Sequence, residues 1–274
     1  MSLKNLLIAF NGTESSEAAL AAALDMQAKY DSHLTGIFAH ASQLARLEAQ
    51  DWVPSLMRDL LRNRTQEDEK KMESRFRALA SSVQSSRLHW ISREGQGDLT
   101  VASYARMYDM TIVGRYDTVL GSPETDLHPD RIAERSGRGV LTIPRTWRQG
   151  IPDEAIVAWD GQRTVTRALA EAMPILETKK KVTILRVKDR NLRGSLPGID
   201  VETALRRHGV QVETRHIDAP AQATGAEIIT ACEESGAGLL VMGAHQRTGF
   251  REDLLGSTTD YVLGNAALPV LIAH

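Results

Sequence analysis

The residues best suited to bind a ligand or to take part in chemistry lie near the C-terminus, in a glycine-rich stretch. Met242 and Gly243 end an apolar run, and residues 256–258 (Gly-Ser-Thr) open a helical segment 13 positions after Gly243. Exposed N–H groups at a helix start, with hydroxyl side chains as caps, bind anions. Arg247 adds a positive charge, and Asp160, which follows another apolar run, supplies an acceptor for a ribose hydroxyl or an adenine amine. This pattern is compatible with a phosphate-bearing ligand, but it also occurs in ordinary strand–loop–helix units with a Ser or Thr cap, most of which bind no nucleotide.

Other site chemistries find no support in the sequence. Cys232 is the only cysteine, which excludes an intrachain disulfide or a cysteine-based zinc cluster. The eight histidines show no metal-ligand spacing, and His216 with Asp218 is interpreted as an ordinary loop pair. The chain has no Gly-x-Ser-x-Gly elbow, no P-loop and no Gly-x-Gly-x-x-Gly after a first strand. We therefore expect no catalytic residue and no metal site.

Composition places the chain among globular proteins of two domains. It has 274 residues, 42% apolar and 25% charged, with a formal net charge of −2. This small net charge indicates no strongly basic surface that would bind nucleic acid or an anionic membrane. The first ten residues have no signal-peptide cleavage pattern, and no apolar run is long enough to span a membrane. We expect a cytoplasmic protein.

An internal repeat organises the elements that must position these residues. The segments 6–13 and 155–162 are both apolar runs that end in an aromatic residue, then Asn or Asp, then Gly. Each half continues in the order strand, helix, strand, helix, strand, helix, strand, helix, strand. Such alternation predicts an α/β fold of two tandem, doubly wound, five-stranded parallel-sheet domains of Rossmann-like type. A boundary in the proline-bearing stretch 144–152 divides the chain into residues 1–147 and 148–274.

The two halves differ after their second strands. The first carries a long segment, 41–86, in which Pro54 is well placed to start an amphipathic helix. A solvated helix face is the favoured interpretation of its charged stretch, with a partner surface as the alternative.

The C-terminal stretch resembles the universal stress protein family. ATP-binding members of that family carry Gly-x-x-Gly, nine residues, then Gly-Ser or Gly-Thr. Gly243 and Gly256 with Ser257 match this pattern, whereas Gln246 replaces its second glycine. A side chain at Gln246 crowds the phosphates, although its backbone N–H survives. The resemblance implies a site for ATP, with magnesium arriving only with the nucleotide. Its adenine and ribose would contact Ala158, Asp160, Val187 and Met242, and its ribose and phosphates would contact Gly243, Gln246, Arg247, Gly256, Ser257 and Thr258.

The first half resembles the family in topology but not in motif. Gly114 is present, but Asp117 stands at the next glycine and Leu127-His128 at the Gly-Ser pair. Asn11 also stands at the position that corresponds to Asp160 of the second half. An acidic side chain where a triphosphate sits is electrostatically unfavourable. We therefore expect no ATP binding in the first half.

The resemblance also implies how the two halves assemble. Universal stress protein domains usually pair through the edge that carries the last strand, so strands 140–143 and 270–273 are expected to pair within the chain. An unpaired apolar edge promotes aggregation, which gives this pairing a physical reason. The resemblance thus implies an intramolecular pseudo-dimer that is able to dimerise further.

Three functions remain open at this point. The resemblance favours a regulatory stress-response module that binds ATP or a related adenine nucleotide in its second half and acts through protein partners. A nucleotide-free scaffold, or a protein that binds another small ligand, is the alternative. A slow ATPase ranks last, because only His245 and Asp253 lie near enough in sequence to act as acid or base and no geometry supports either.

Overall fold

A single ten-stranded sheet forms the centre of the protein. The computed structural model describes residues 3–41, 54–115, 127–148, 150, 152–187, 199–244 and 258–274. The strand order is β3-β2-β1-β4-β5-β10-β9-β6-β7-β8. Neighbours are parallel except β5 and β10. Each half therefore has the doubly wound order of a five-stranded α/β unit, as predicted, and the two units share one sheet.

The elements alternate along the chain as the sequence predicts. The strands are β1 Asn5–Ala9, β2 His33–His40, β3 Leu88–Glu94, β4 Met110–Gly114, β5 Val140–Ile143, β6 Glu154–Ala158, β7 Lys181–Val187, β8 Val212–Ile217, β9 Leu240–Gly243 and β10 Val270–Ala273. The helices are α1 Glu14–Tyr30, α2 Ser55–Leu79, α3 Gly97–Ala105, α4 Pro129–Ser136, α5 Arg163–Leu176, α6 Val201–Arg207, α7 Thr224–Ser235 and α8 Thr258–Asn265. We call β1–β5 with α1–α4 the first repeat, and β6–β10 with α5–α8 the second.

Local signals set the ends of these helices. The Thr13 side chain accepts a hydrogen bond from the Ser16 N–H and caps the start of α1. At the end of α7, Gly236 adopts a left-handed conformation (φ 63°), as expected for a helix stop. The described part of the insertion after β2 contains α2, a helix of 25 residues that begins after Pro54, and Glu73 and Arg77 of this helix form an ion pair at 2.8 Å.

Two layers of helices cover the sheet, and each layer spans both repeats. Alanine-rich α1 packs with α2, α5 and α6 on one face, where Phe10, Phe76 and Leu20 are fully buried. Helices α3, α4, α7 and α8 pack on the other face. Because both hydrophobic cores contain residues from both repeats, folding buries the two repeats against one continuous sheet.

The repeats join through their last strands, as the sequence predicts. Leu141 of β5 lies opposite Leu271 of β10 in an antiparallel pair, and both side chains are fully buried. Flanking helices add polar contacts: the Tyr30 hydroxyl donates to the Pro174 carbonyl, and Arg167 pairs with Glu171, which also lies 3.5 Å from Arg138 of the first repeat. This junction removes the two apolar edges that separate repeats would expose.

Lys179 lies where the connection between the repeats meets the end of α5. Its ammonium donates to the carbonyl of Pro152, just before β6, and the residue is buried. Burial, and secondarily the charge of Lys29, lowers the pKa of the Lys179 ammonium to about 8.

Across the part of the chain that is described, no helix has the length and apolar character needed to cross a membrane.

The first prediction concerns the dependence of stability on pH. Because the pKa of Lys179 is lower in the folded protein than in the unfolded chain, the unfolded chain binds more protons between pH 8 and 10.5. Burial of the protonated Lys179 ammonium therefore lowers the free energy of unfolding by its full amount below pH 8. This destabilisation decreases as the pH rises. Relative to Lys179→Met, the free energy of unfolding of the wild type should rise by about 1–2 kcal/mol from pH 7 to 9.5.

Urea unfolding of both proteins at several pH values measures this difference. Lys180→Met is the matched control, because the Lys180 side chain is exposed and pairs with Asp153 at the surface. Unfolding curves of wild type and Lys179→Met that shift in parallel with pH would contradict the burial account.

Candidate functional site

The carboxyl ends of β6 and β9 form the candidate ligand-binding edge of the second repeat. Sheet order reverses between these strands, and ligands of doubly wound sheets bind at such switch points. Ala158 ends β6, Val187 ends β7, and Met242 precedes the Gly243 that ends β9. Ala158, Val187 and Met242 all pack on the sheet face covered by α7 and α8. The fold thus brings together the apolar residues predicted to contact an adenine ring.

Asp160 lies in the turn that links β6 to α5. Its Oδ1 accepts a hydrogen bond from the Gln162 N–H at 2.9 Å, and Gly161 has a positive φ of 70°. Asn11 occupies the same place in the first repeat, where its Oδ1 accepts from the N–H and hydroxyl of Thr13. The turn needs a side-chain oxygen but no charge. The Asp160 carboxylate is therefore chemistry beyond what the turn requires.

Gly243 is needed for packing. A Cβ at this position would lie 2.6 Å from the Val165 nitrogen, in the first turn of α5. Gly114 is the equivalent residue of the first repeat, and a Cβ there would lie 2.5 Å from the Ser15 carbonyl carbon and oxygen. Glycine at these positions lets the helix approach the strand closely. This explains why Gly114 persists although the rest of the motif is absent from the first repeat.

A hydroxyl next to this glycine distinguishes the two repeats. Ser15 Oγ donates to the carbonyl of Arg115 at 2.6 Å in the first repeat. Thr164, its counterpart in α5, has a buried Oγ1 for which the described residues provide no hydrogen-bond partner. A buried hydroxyl without a partner costs about 1–3 kcal/mol. The second repeat thus has a buried hydroxyl at the edge of its cleft, Thr164 Oγ1, for which no partner is described. The equivalent hydroxyl of the first repeat, Ser15 Oγ, is hydrogen-bonded.

The remaining predicted site residues divide into two groups. Thr258 begins α8, as expected for a helix that opens at this point. Gln246, Arg247, Gly256 and Ser257 lie outside the described residues, as do His245 and Asp253.

The equivalent cleft of the first repeat is covered by its own side chains. A Cβ on Gly12 would lie 2.8 Å from the Met72 sulfur and 3.6 Å from a guanidinium nitrogen of Arg75, both on α2. Arg75 is held by an ion pair with Glu17 at 2.5 Å. Sequence inspection missed this contact because α2 lies more than 40 residues from Gly12. The insertion therefore fills the position that a ligand would need beside β1.

An internal carboxylate occupies the helix start that would bind phosphate in the first repeat. Asp98 of α3 accepts hydrogen bonds from the His128 N–H at 2.8 Å and from its ring Nδ1 at 3.1 Å. His128 caps α4 and matches Ser257 of the second repeat by position. In the second repeat the corresponding helices, α7 and α8, meet through Gly225 and Tyr261. The first repeat thus supplies its own anion at this helix start.

Nucleophilic and metal chemistry find no support near the second cleft. Burial raises the pKa of the Cys232 thiol, on α7, to about 12, which keeps it protonated and unreactive. No cluster of three or more His, Cys, Asp and Glu side chains suited to a metal ion occurs among the described residues.

Comparisons with known proteins agree with this architecture. The chain aligns with the crystal structure of a universal stress protein from Archaeoglobus fulgidus DSM 4304 at a TM-score of 0.67 and 16% identity, covering 98% of this chain and 95% of the other. A functionally unknown protein from Pseudomonas aeruginosa PAO1 aligns at a TM-score of 0.59 and 14% identity, covering 99% and 92%. At these identities the likeness establishes the fold. No curated protein matches the chain.

The fold and the two clefts define a tandem doubly wound α/β protein with one cleft obstructed by its own side chains. Residues 153–274 match the model of the universal stress protein family. This second half of the chain therefore belongs to the universal stress protein family, and the first half has the same fold.

The second prediction tests the packing role of the two glycines. Gly114→Ala and Gly243→Ala should each lower the free energy of unfolding by about 1–3 kcal/mol, because the added methyl group overpacks the strand–helix contact. Gly264→Ala in α8 is the matched control. No atom lies within 4 Å of its added Cβ, so it should be neutral or stabilise the protein by up to about 1 kcal/mol. Denaturant unfolding measures all three, and a harmless Gly243→Ala would refute the packing role.

Proposed function

We propose that the protein is a stress-response module that binds ATP or a related adenine nucleotide in the cleft of its second repeat. One observation supports the proposal: Ala158, Asp160 and Met242 lie at or just after the carboxyl ends of the two strands that flank the switch point, and Val187 ends the neighbouring strand, in the repeat whose sequence matches the family model. The first repeat, outside that match, has internal side chains in the equivalent places.

Each group in the second cleft has a distinct proposed role. Ala158, Val187 and Met242 provide an apolar surface for the adenine ring, and the Asp160 carboxylate accepts a hydrogen bond from a ribose hydroxyl. Thr258, the first residue of α8, and Gly256 and Ser257, which precede it in the sequence, would bind the phosphates through backbone N–H groups and hydroxyls. Arg247 and the backbone of Gln246 add contacts to the phosphates. Magnesium arrives with the nucleotide.

The proposed activity is binding and signalling, with hydrolysis no more than a slow side reaction. A general base must reach the attacking water, and none of the described residues at the cleft is assigned that role. Nucleotide occupancy would instead alter a surface that protein partners recognise. A nucleotide-free scaffold remains the alternative, in which Gln246 marks a lost site.

The third prediction separates these functions with a pair of symmetry-related substitutions. Asp160→Asn keeps the side-chain oxygen that the turn uses, as Asn11 demonstrates, and removes only the charge. It should weaken ATP binding about tenfold, the loss of a charge-assisted hydrogen bond. Asn11→Asp restores the charge in the first repeat and should neither change the affinity nor create a second site, because Met72 and Arg75 already lie over Gly12.

Calorimetric titration of ATP measures these affinities, and nucleotide released by denaturing the purified protein gives a second readout. Gly256→Trp, which blocks the phosphate position, defines the background. A wild type that releases no nucleotide and binds ATP no better than Gly256→Trp would exclude the nucleotide function and leave the scaffold. For the hydrolysis side reaction, phosphate release unchanged by His245→Ala and Asp253→Ala would identify contamination.

A further inference from the structure

Two histidines that are distant in sequence lie close together at the edge of the sheet where strands β2 and β3 begin. His33 is the first residue of β2, and His89 is the second residue of β3, which is an edge strand of the sheet. Parallel pairing places Thr35 opposite His89, so the two imidazoles lie diagonally across neighbouring strands. Nδ1 of His33 is 3.1 Å from Nε2 of His89, and the ring planes differ by 17°. The two nitrogens face each other at hydrogen-bond distance, and because both side chains are exposed, a rotation of each ring directs both lone pairs to a common site.

The second repeat has a pair of opposite charges at the equivalent positions. Strand register makes Lys181 the counterpart of His33 and Glu213 the counterpart of His89. Lys181 and Glu213 form an ion pair at 2.8 Å, the usual attraction between opposite charges on adjacent strands. The histidine pair has no such attraction of its own. Neutral imidazoles share one proton, and two imidazolium rings repel.

A cavity surrounds the histidine pair. It has a volume of about 380 Å³ and is lined by Asn5, Met107 and Tyr108 in addition to the two histidines and neighbouring strand residues. Met107 is 81% exposed and brings a thioether to the same cavity. The lining residues include no carboxylate, which disfavours hard ions such as Mg²⁺ and Ca²⁺.

We propose that His33 and His89 form a binding site for a late first-row transition-metal ion. Metal–nitrogen bonds of about 2.0–2.1 Å separate neighbouring ligand nitrogens by about 2.8 Å in a tetragonal site and about 3.3 Å in a tetrahedral site, values on either side of the observed 3.1 Å. The metal takes the place of the shared proton, which moves to the other nitrogen of its ring, because a neutral imidazole keeps one N–H. Water or the Met107 sulfur completes the coordination. Among divalent ions, imidazole ligands bind Cu²⁺ most strongly, in agreement with the Irving–Williams order. Bound metal would tie the edge strand β3 to β2.

The fourth prediction exploits the second repeat as a template for the control. The purified full-length protein, stripped with a chelator, should bind one equivalent of Cu²⁺ whose electron paramagnetic resonance spectrum shows two imidazole nitrogens. His33→Asn, which removes one of the two ligands, should weaken binding at least tenfold. The double variant His33→Lys, His89→Glu installs the ion pair of the second repeat and should fold normally but lose the site. His208→Asn, a change at an exposed histidine paired with Glu177, should bind like the wild type.

Thermal unfolding gives an independent readout that does not depend on spectroscopy. Cu²⁺ should raise the melting temperature of the wild type and of His208→Asn, but not of the double variant, because a ligand stabilises only the state that binds it. A wild type that binds no stoichiometric Cu²⁺ would overturn the proposal. Binding of equal affinity in the folded double variant would also overturn it, because the ion would then lie elsewhere.

Discussion

Antiparallel pairing of β5 with β10 determines the arrangement of the rest of the molecule. Each repeat alone would end in an exposed apolar strand, and the junction covers both. Because the strands run in opposite directions across this junction, the carboxyl ends of the two repeats lie at opposite edges of the sheet. The two clefts are therefore separate, and each repeat has to build its own site. Chemical divergence of one cleft leaves the other intact.

Structural and chemical requirements are distinguishable because the repeat provides an internal comparison. Features shared by both repeats serve the fold: the glycine beneath the first helix and the side-chain oxygen that closes the turn before it. Features that differ are available for function. In the first repeat Met72, Arg75 and Asp98 satisfy or cover the groups that a ligand would use. The second repeat retains a carboxylate at Asp160 and a buried hydroxyl at Thr164 that has no hydrogen-bond partner among the described residues.

Much of the fold follows from the sequence, since apolar runs that end in Asn-Gly or Asp-Gly mark β1 and β6 and alternate with amphipathic helices. The resemblance to the universal stress protein family also predicted the pairing of the last strands, and the cost of an exposed edge supplies its physical reason. Contacts between distant segments were not. Asp98 reaches His128 across 30 residues, and His33 reaches His89 across 56, because parallel strands and packed helices bring together positions that no local spacing relates. The role of Gly243 as a packing residue also required the position of α5, since a phosphate motif and a close helix contact both select glycine.

The central claim is that nucleotide chemistry resides in one cleft only. Photo-crosslinking with an azido-adenine analogue of ATP, followed by mass spectrometry of the labelled peptides, tests it most directly. The account predicts label on peptides of the second repeat that contain the ends of β6, β7 or β9, and loss of that label when unmodified ATP competes. Competable label at the ends of β1, β2 or β4 would contradict it.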